Sequence, residues 1–308
     1  MAERGNWGLI EIPDHMGVIN VGGRVGAAGG PRAFRDAFFR LKGLWPARQN
    51  LTVHVQVDSL TFDVAANHRK AADAISIAHK QTGCTVVVGG GHDHGFSHLL
   101  GIAQAIGSTH PRLGCINIDA HLDVRPPLDG GKRITSGSPF FLALESGILE
   151  GKRFVEFGIQ THCNAAEQLE YVRTKGAHVQ MMSTLRKGTA VTAFHKTLKR
   201  VAALSEAVVI SLDLDALSEA HAPGVSAPQA EGFSSSEIME MVELAARNPK
   251  VVSLGIFELN PEHDVGGRTA RLAAQTAYHF LEARAQAGEI KPRAPWVRVP
   301  VARKRSSR

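Results

Sequence analysis

The chain has 308 residues, 44% of them hydrophobic and 21% charged, the balance of a water-soluble globular protein long enough to bury a large core in one body. Its formal charge of +6 permits attraction to anions, but aromatic residues make up only 6% and none interleave the basic cluster Arg303, Lys304, Arg305 and Arg308. Nucleic-acid binding is therefore disfavoured, and the cluster reads as a solvated tail over about 300–308. No apolar run reaches membrane-spanning length, and the first eight residues lack the features of a secretory signal. Three cysteines, Cys84, Cys115 and Cys163, without a C-x-x-C pair, read as reduced structural thiols. One domain over 1–308, in the cytoplasm, is the expectation.

Eight apolar, β-branched runs follow in order, at 8–12, 51–57, 85–88, 114–118, 154–159, 178–182, 208–214 and 251–259. Segments with helical spacing lie between them, clearest at 65–81 and 234–247. Alternating strands and helices, with strands apolar throughout, predict an α/β fold: a mostly parallel eight-stranded sheet covered by helices on both faces, a three-layer sandwich. Such sheets hold ligands just beyond the carboxyl ends of their strands, so polar residues there are the first candidates for function.

Three strand ends stand out. The run 85–91 leads into His92, the run 114–118 into Asp119-Ala120-His121-Leu122-Asp123, and the run 208–212 into Asp213-Leu214-Asp215. If the backbone stays extended, the one-residue gaps in 119–123 aim two carboxylates and an imidazole the same way. Buried ionisable groups gathered like this need an opposite charge. One Asp-x-Asp at a strand end is commonly a turn or a helix cap, and a lone histidine is commonly packing; three such ends together point to cations. Oxygen-rich ligands with one or two imidazoles suit Mn²⁺. Four carboxylates balance two divalent ions, which in two-metal hydrolases share a bridging water and bring its pKa down towards neutrality. Gly89, Gly90 and Gly91 are expected to let the backbone approach that site closely.

These stretches, GGGHDHG at 89–95, NIDAHLDVRP at 117–126 and SLDLDALSEAHAPGVSAP at 211–228, resemble the ureohydrolase family, which includes arginase, agmatinase and formimidoylglutamase. The likeness spans most of the chain, because 22–35 also looks like the family's glycine-rich stretch followed by Gly-Pro at a helix start. The resemblance implies an arginase-like fold and a pair of Mn²⁺ ions with a bridging hydroxide. It implies His92, Asp119, His121, Asp123, Asp213 and Asp215 as ligands, with Asp119, Asp123 or Asp213 bridging. It also implies that Glu258, in FELNP at 257–261, grips the amidino group of the substrate.

Within the family, 119–125, TSGSPF at 135–140 and VEFGIQ at 155–160 are most similar to formimidoylglutamase, and Ser136 stands where arginases carry a catalytic histidine. Arg125 offers a planar fork for a substrate carboxylate. The implied reaction is N-formimidoyl-L-glutamate plus water giving L-glutamate and formamide, a step of histidine breakdown, with Asp215 passing a proton to the leaving nitrogen. Ser218, where the third motif usually has an acid, and the irregular Thr161-His162-Cys163 keep other substrates open. A guanidino substrate releasing urea is the sibling reading, and a non-catalytic metal-stabilised binding protein the reading from another class. His94 and His98 receive no role. A small-molecule partner and a homo-oligomer are expected, with no nucleic acid or membrane.

Overall fold

The structure is a computed structural model that describes residues 6–107, 112–185 and 188–288. The basic tail expected at about 300–308 lies outside the described residues. The strands are β1 (Trp7–Ile12), β2 (Leu51–Gln56), β3 (Thr85–Gly89), β4 (Leu113–Ile118), β5 (Phe154–Ile159), β6 (His178–Met181), β7 (Ala207–Asp213) and β8 (Val251–Phe257). They form one sheet in the order β2-β1-β3-β8-β7-β4-β5-β6, and every pairing is parallel. Each expected strand is present, although the last stops at Phe257, two residues earlier than its apolar pattern.

Parallel pairing requires crossovers, and helices supply them on both faces. On one face lie α1 (Gly30–Phe38), α5 (Ala190–Leu204), α6 (Ser235–Ala246) and α7 (Arg268–Gln286); on the other lie α2 (Val64–Thr82), α3 (His94–Ile106) and α4 (Pro139–Glu145). Strand residues divide by parity between the two cores: Val86 and Val88 join the first while Val87 joins the second, and Ile116 and Ile118 oppose Cys115. Burial on both faces is why the six inner strands read as apolar runs, while the edge strands β2 and β6 carry exposed polar residues. Local signals set the helix ends. Asp63 accepts a hydrogen bond from the Ala66 amide and Gly83 closes α2 at φ 71°, while Ser234 and Glu237 form a reciprocal cap on α6.

The chain order creates the site. After β3 the chain passes over two strand positions to build β4, β5 and β6, then returns to fill the gap with β7 and β8. The central strands β3, β8, β7 and β4 therefore end side by side where the connections change direction, the place where such sheets leave a crevice.

Candidate metal centre

His92 follows β3, and its Nδ1 lies 3.2 Å from Asp119 Oδ2, 3.0 Å from Asp123 Oδ2 and 3.0 Å from Asp213 Oδ2. His121 Nδ1 lies 3.5 Å from Asp119 Oδ1 and 3.1 Å from Asp215 Oδ2. One donor atom from each of His92, Asp119, Asp123 and Asp213 falls within 4.8 Å of the others, and the same holds for Asp119, His121 and Asp215. All six ligand candidates meet at the strand ends, and of the three carboxylates named as bridges only Asp119 belongs to both groups.

The expectation that Asp119, His121 and Asp123 point one way is corrected. The chain leaves β4 at Ile118, bends at residues 120 and 121, and carries Asp123 at φ 45°. His121 and Asp123 are thereby sent to different groups. At the glycines ahead of His92 the backbone is approached closely: a Cβ on Gly90 would come within 2.0 Å of the Asp14 carbonyl oxygen, and one on Gly89 within 2.5 Å of the Phe257 ring. They let β3 nest against its neighbours, and His92 alone reaches the ligands.

Beneath the ligands runs a polar row that pattern reading missed. Ser211 of β7 pairs in register with Asn117 of β4, which pairs with Glu156 of β5. With His92 Nδ1 turned to the carboxylates, its Nε2–H donates to Ser211 Oγ at 2.9 Å, the outer hydrogen bond that fixes a metal-binding imidazole. Asn117 Nδ2 donates to Asp119 Oδ2 at 3.1 Å and to Glu156 Oε2 at 2.9 Å. Backbone amides complete the support, His121 N to Asp119 Oδ1 at 2.7 Å and Asp215 N to Asp213 Oδ1 at 2.8 Å. The available signal was the period of two: Asn117 and Ser211 each precede a ligand by two residues and face the same side.

Glu258 sits just past β8 at φ 65°, a left-handed conformation unusual for a residue with a side chain. Its amide donates to the Gly90 carbonyl at 2.8 Å, and its Oε1 accepts from the His92 amide at 2.8 Å. Above these groups is a cavity of about 140 Å³ lined by His121, Asp123, Asp213, Asp215, Glu258, Arg125 and Ser136, with Gly23 and Ser226 on its far wall. Among the described residues no side chain or carbonyl pairs with the Arg125 guanidinium, so the arginine is not used up by neighbouring acids. Arg24 binds the two far-wall segments together: its amide donates to Ser226 Oγ, its Nε to the Ser226 carbonyl at 2.9 Å and its Nη2 to the Val225 carbonyl. Ser218 packs away from this cavity, with Oγ donating to the Ala230 carbonyl, and lines a different one. Cys163, half-buried, donates to Gln229 Oε1 at 3.2 Å, and among the described residues no cysteine forms a disulfide.

The charges demand a cation. Burial opposes protonation of His92 and His121, yet the surrounding carboxylates outweigh it and raise both imidazoles well above their ordinary value. Burial, reinforced by the other acids, raises Asp123, Asp213 and Glu258, and burial lifts Asp215 to about 7 against the pull of His121. Asp119 goes the other way; its burial is outweighed by the neighbouring imidazoles of His121 and His92, which lower it. His92 Nδ1, Asp215 Oδ1 and Glu258 Oε2 are buried without a hydrogen-bond partner. A set of anionic oxygens and two imidazoles, with such atoms left over, fits a pair of divalent ions.

The comparisons agree in extent and in kind. The arginase family profile matches residues 9–282. A formimidoylglutamase of Geobacillus kaustophilus (strain HTA426) is 33% identical over 260 residues, covering 84% of this chain and 78% of that protein. The crystal structure of Trypanosoma cruzi formiminoglutamase with Mn²⁺ superposes with a TM-score of 0.82 at 32% identity, covering 95% of this chain and 96% of that one. The proclavaminate amidino hydrolase of Streptomyces clavuligerus superposes at 0.77 with 25% identity over 92% of each chain. With its candidate ligands gathered at strand ends and a match running from β1 into α7, this chain belongs to the arginase family.

Proposed function

We propose that this chain is a formimidoylglutamase: it hydrolyses N-formimidoyl-L-glutamate to L-glutamate and formamide with two Mn²⁺ ions. The observation that carries the reading is the meeting of six ligand side chains, with Asp119 shared, beneath a cavity that holds an unpaired Arg125. His92, Asp119, Asp123 and Asp213 would hold one ion, and Asp119, His121 and Asp215 the other. Bound there, the pair supplies a water activated for attack near neutral pH and a counter-charge for the acids.

The remaining work falls to the chain. The formimidoyl group carries N–H donors, and Glu258 offers Oε2, free of partners, while Oε1 is pinned by the His92 amide; this holds the amidine carbon over the ligands. Arg125 pairs with a carboxylate of the glutamate moiety as a two-pronged donor, and Ser136 adds a hydroxyl on the same wall. The water oxygen forms a bond to the formimidoyl carbon, and the C–N bond to the glutamate nitrogen breaks. Asp215, whose Oδ1 is free of partners, carries a proton from the water to that nitrogen.

On this reading the whole chain, its basic tail included, is one catalytic domain that serves histidine breakdown in the cytoplasm. It acts on a small molecule as a homo-oligomer, with no nucleic-acid or membrane partner. Among the described residues no helix is long and apolar enough to cross a membrane. The likeness to an amidino hydrolase supports one other reading, a guanidino substrate yielding urea. Nuclear magnetic resonance of the products separates the two. Equal formamide and glutamate from formimidoylglutamate is the expected result; urea from arginine, agmatine or guanidinobutyrate, with formimidoylglutamate untouched, replaces it with the alternative.

A further inference from the structure

A second polar knot lies outside the residues that the proposed reaction uses. His68 comes from α2, Asp93 and His94 stand at the start of α3, and Asp14 follows β1. All four are buried, at 1%, 0%, 0% and 4% exposure. His68 Nε2 lies 2.9 Å from Asp93 Oδ2, and His94 Nε2 lies 3.2 Å from Asp14 Oδ2 and 3.9 Å from Asp93 Oδ2. One donor atom from each of His68, Asp93 and His94 falls within 4.8 Å of the others.

Three features separate this knot from an ordinary hydrogen-bonded core. The first is charge: among the described residues Asp14 and Asp93 form ion pairs only with these two imidazoles, so no lysine or arginine neutralises two buried carboxylates. The second is shape. Asp93 Oδ1 is buried without a partner among the described residues, and the backbone is hollowed around the aspartate, since a Cβ on Gly17 or Gly91 would meet Asp93 Oδ1 at 2.2 or 2.5 Å. The third is orientation: His94 Nδ1 bonds Ser97 Oγ at 2.9 Å, which turns Nε2 inward as outer hydrogen bonds turn metal-binding imidazoles. Asp14 is steadied in the same manner, its Oδ1 by the Met16 amide at 2.8 Å and its Oδ2 by Asn67 Nδ2 at 2.7 Å.

The main centre provides an internal standard. There His92 stands 3.0 to 3.2 Å from its carboxylates, the spacing seen again in the knot. Tetrahedral donors at about 2.0–2.1 Å from a zinc ion lie roughly 3.3–3.4 Å apart, within the range of the knot's separations. None of the four side chains lines the substrate cavity.

We infer that His68, Asp93 and His94 form a third cation site, with Asp14 beside it as a further counter-charge, which takes one divalent ion of zinc's type and has no part in the chemistry. Two imidazoles and two carboxylates leave the knot neutral once the ion is present. It joins the segment after β1, the second turn of α2 and the start of α3, and so braces the turn from which His92 reaches the main centre.

The test is a metal count and a location. Protein loaded with Mn²⁺ and Zn²⁺ and then desalted is expected to hold three ions per chain by inductively coupled plasma mass spectrometry. His68→Gln is expected to hold two. Anomalous scattering at the zinc edge, from crystals of the unaltered holoenzyme, is expected to show a peak between His68 and His94, and this measurement stands even where the variant does not fold. Fewer than three ions in the unaltered protein, a third ion retained by His68→Gln, or no peak between those imidazoles overturns the inference.

Discussion

The two halves of the main centre differ in depth and in the number of groups that hold them. The His92 half draws on three strand ends and three carboxylates, and its imidazole is 1% exposed with an outer bond to Ser211. The His121 half has two carboxylates, one of them borrowed, and its imidazole is 16% exposed at the cavity. The deep half is built to hold an ion and the shallow half to present one to substrate. Ligands on rigid strand ends give position, and the ligand on the bend after β4 gives access.

The largest expected effect comes from the residue common to both halves. Asp119→Asn is expected to lose most bound Mn²⁺ and to lower kcat/KM on the order of 10³-fold or more. Elemental analysis beside steady-state kinetics checks it, and a variant that keeps both ions would show that the halves are independent. Next, His121→Ala is expected to keep about one ion per chain while His92→Ala keeps fewer, at equal loading. Equal retention would remove the distinction between deep and shallow. Ser211→Ala, which takes away only the outer bond to His92, is expected to weaken metal binding about 10- to 100-fold by competition with a chelator.

The charge set also makes metal-free protein sensitive to pH. Asp215, at about 7 in the fold, lies above the unfolded carboxylate value of about 3.9, so folding favours its protonated form and stability falls as pH rises between those values. The raised His92 and His121 contribute stability below their unfolded value of about 6.5, and it is lost as pH rises through their higher folded values. Asp119, lowered in the fold, contributes stability already present above its unfolded value, so it does not oppose the trend near neutrality. The increase in Tm on adding Mn²⁺ is therefore expected to be larger at pH 8.5 than at pH 5.5. A constant increment across that range would mean that these protons are not exchanged for metal.

The smallest expected effect concerns recognition rather than the ions. Arg125→Ala is expected to raise KM for formimidoylglutamate by about 10- to 100-fold, as loss of a charge-assisted bond implies, with metal content unchanged and kcat little altered. Unchanged KM would place the substrate carboxylate elsewhere.

Much of this was readable before any coordinates. Eight apolar runs became eight strands, the six inner ones most plainly because burial on both faces leaves no polar side to blur the pattern. Asp119, His121, Asp123, Asp213 and Asp215 stood out because acids beyond an apolar strand need a counter-charge. The division of labour among them did not stand out, since it depends on the bend at residues 120 and 121 and the left-handed Asp123, which no alternation encodes. Ser211, Asn117 and Glu156 looked like ordinary interruptions of strands until register set them side by side. His94, to which local pattern gives no role, lies at the first residue of α3 and meets Asp14 across 80 positions of chain, a separation that local pattern cannot span.

The row Ser211-Asn117-Glu156 has one further consequence. Because neighbouring strands hold these residues level, the accuracy with which the ions are placed is inherited from the ladder of amide bonds rather than from the loops overhead. The segments around Arg125, Ser136 and Ser226 can then be exchanged to admit another amidine without disturbing the reactive floor. A single-residue slip of β4 against β7 would turn every support to the opposite face and leave the loops with nothing to serve.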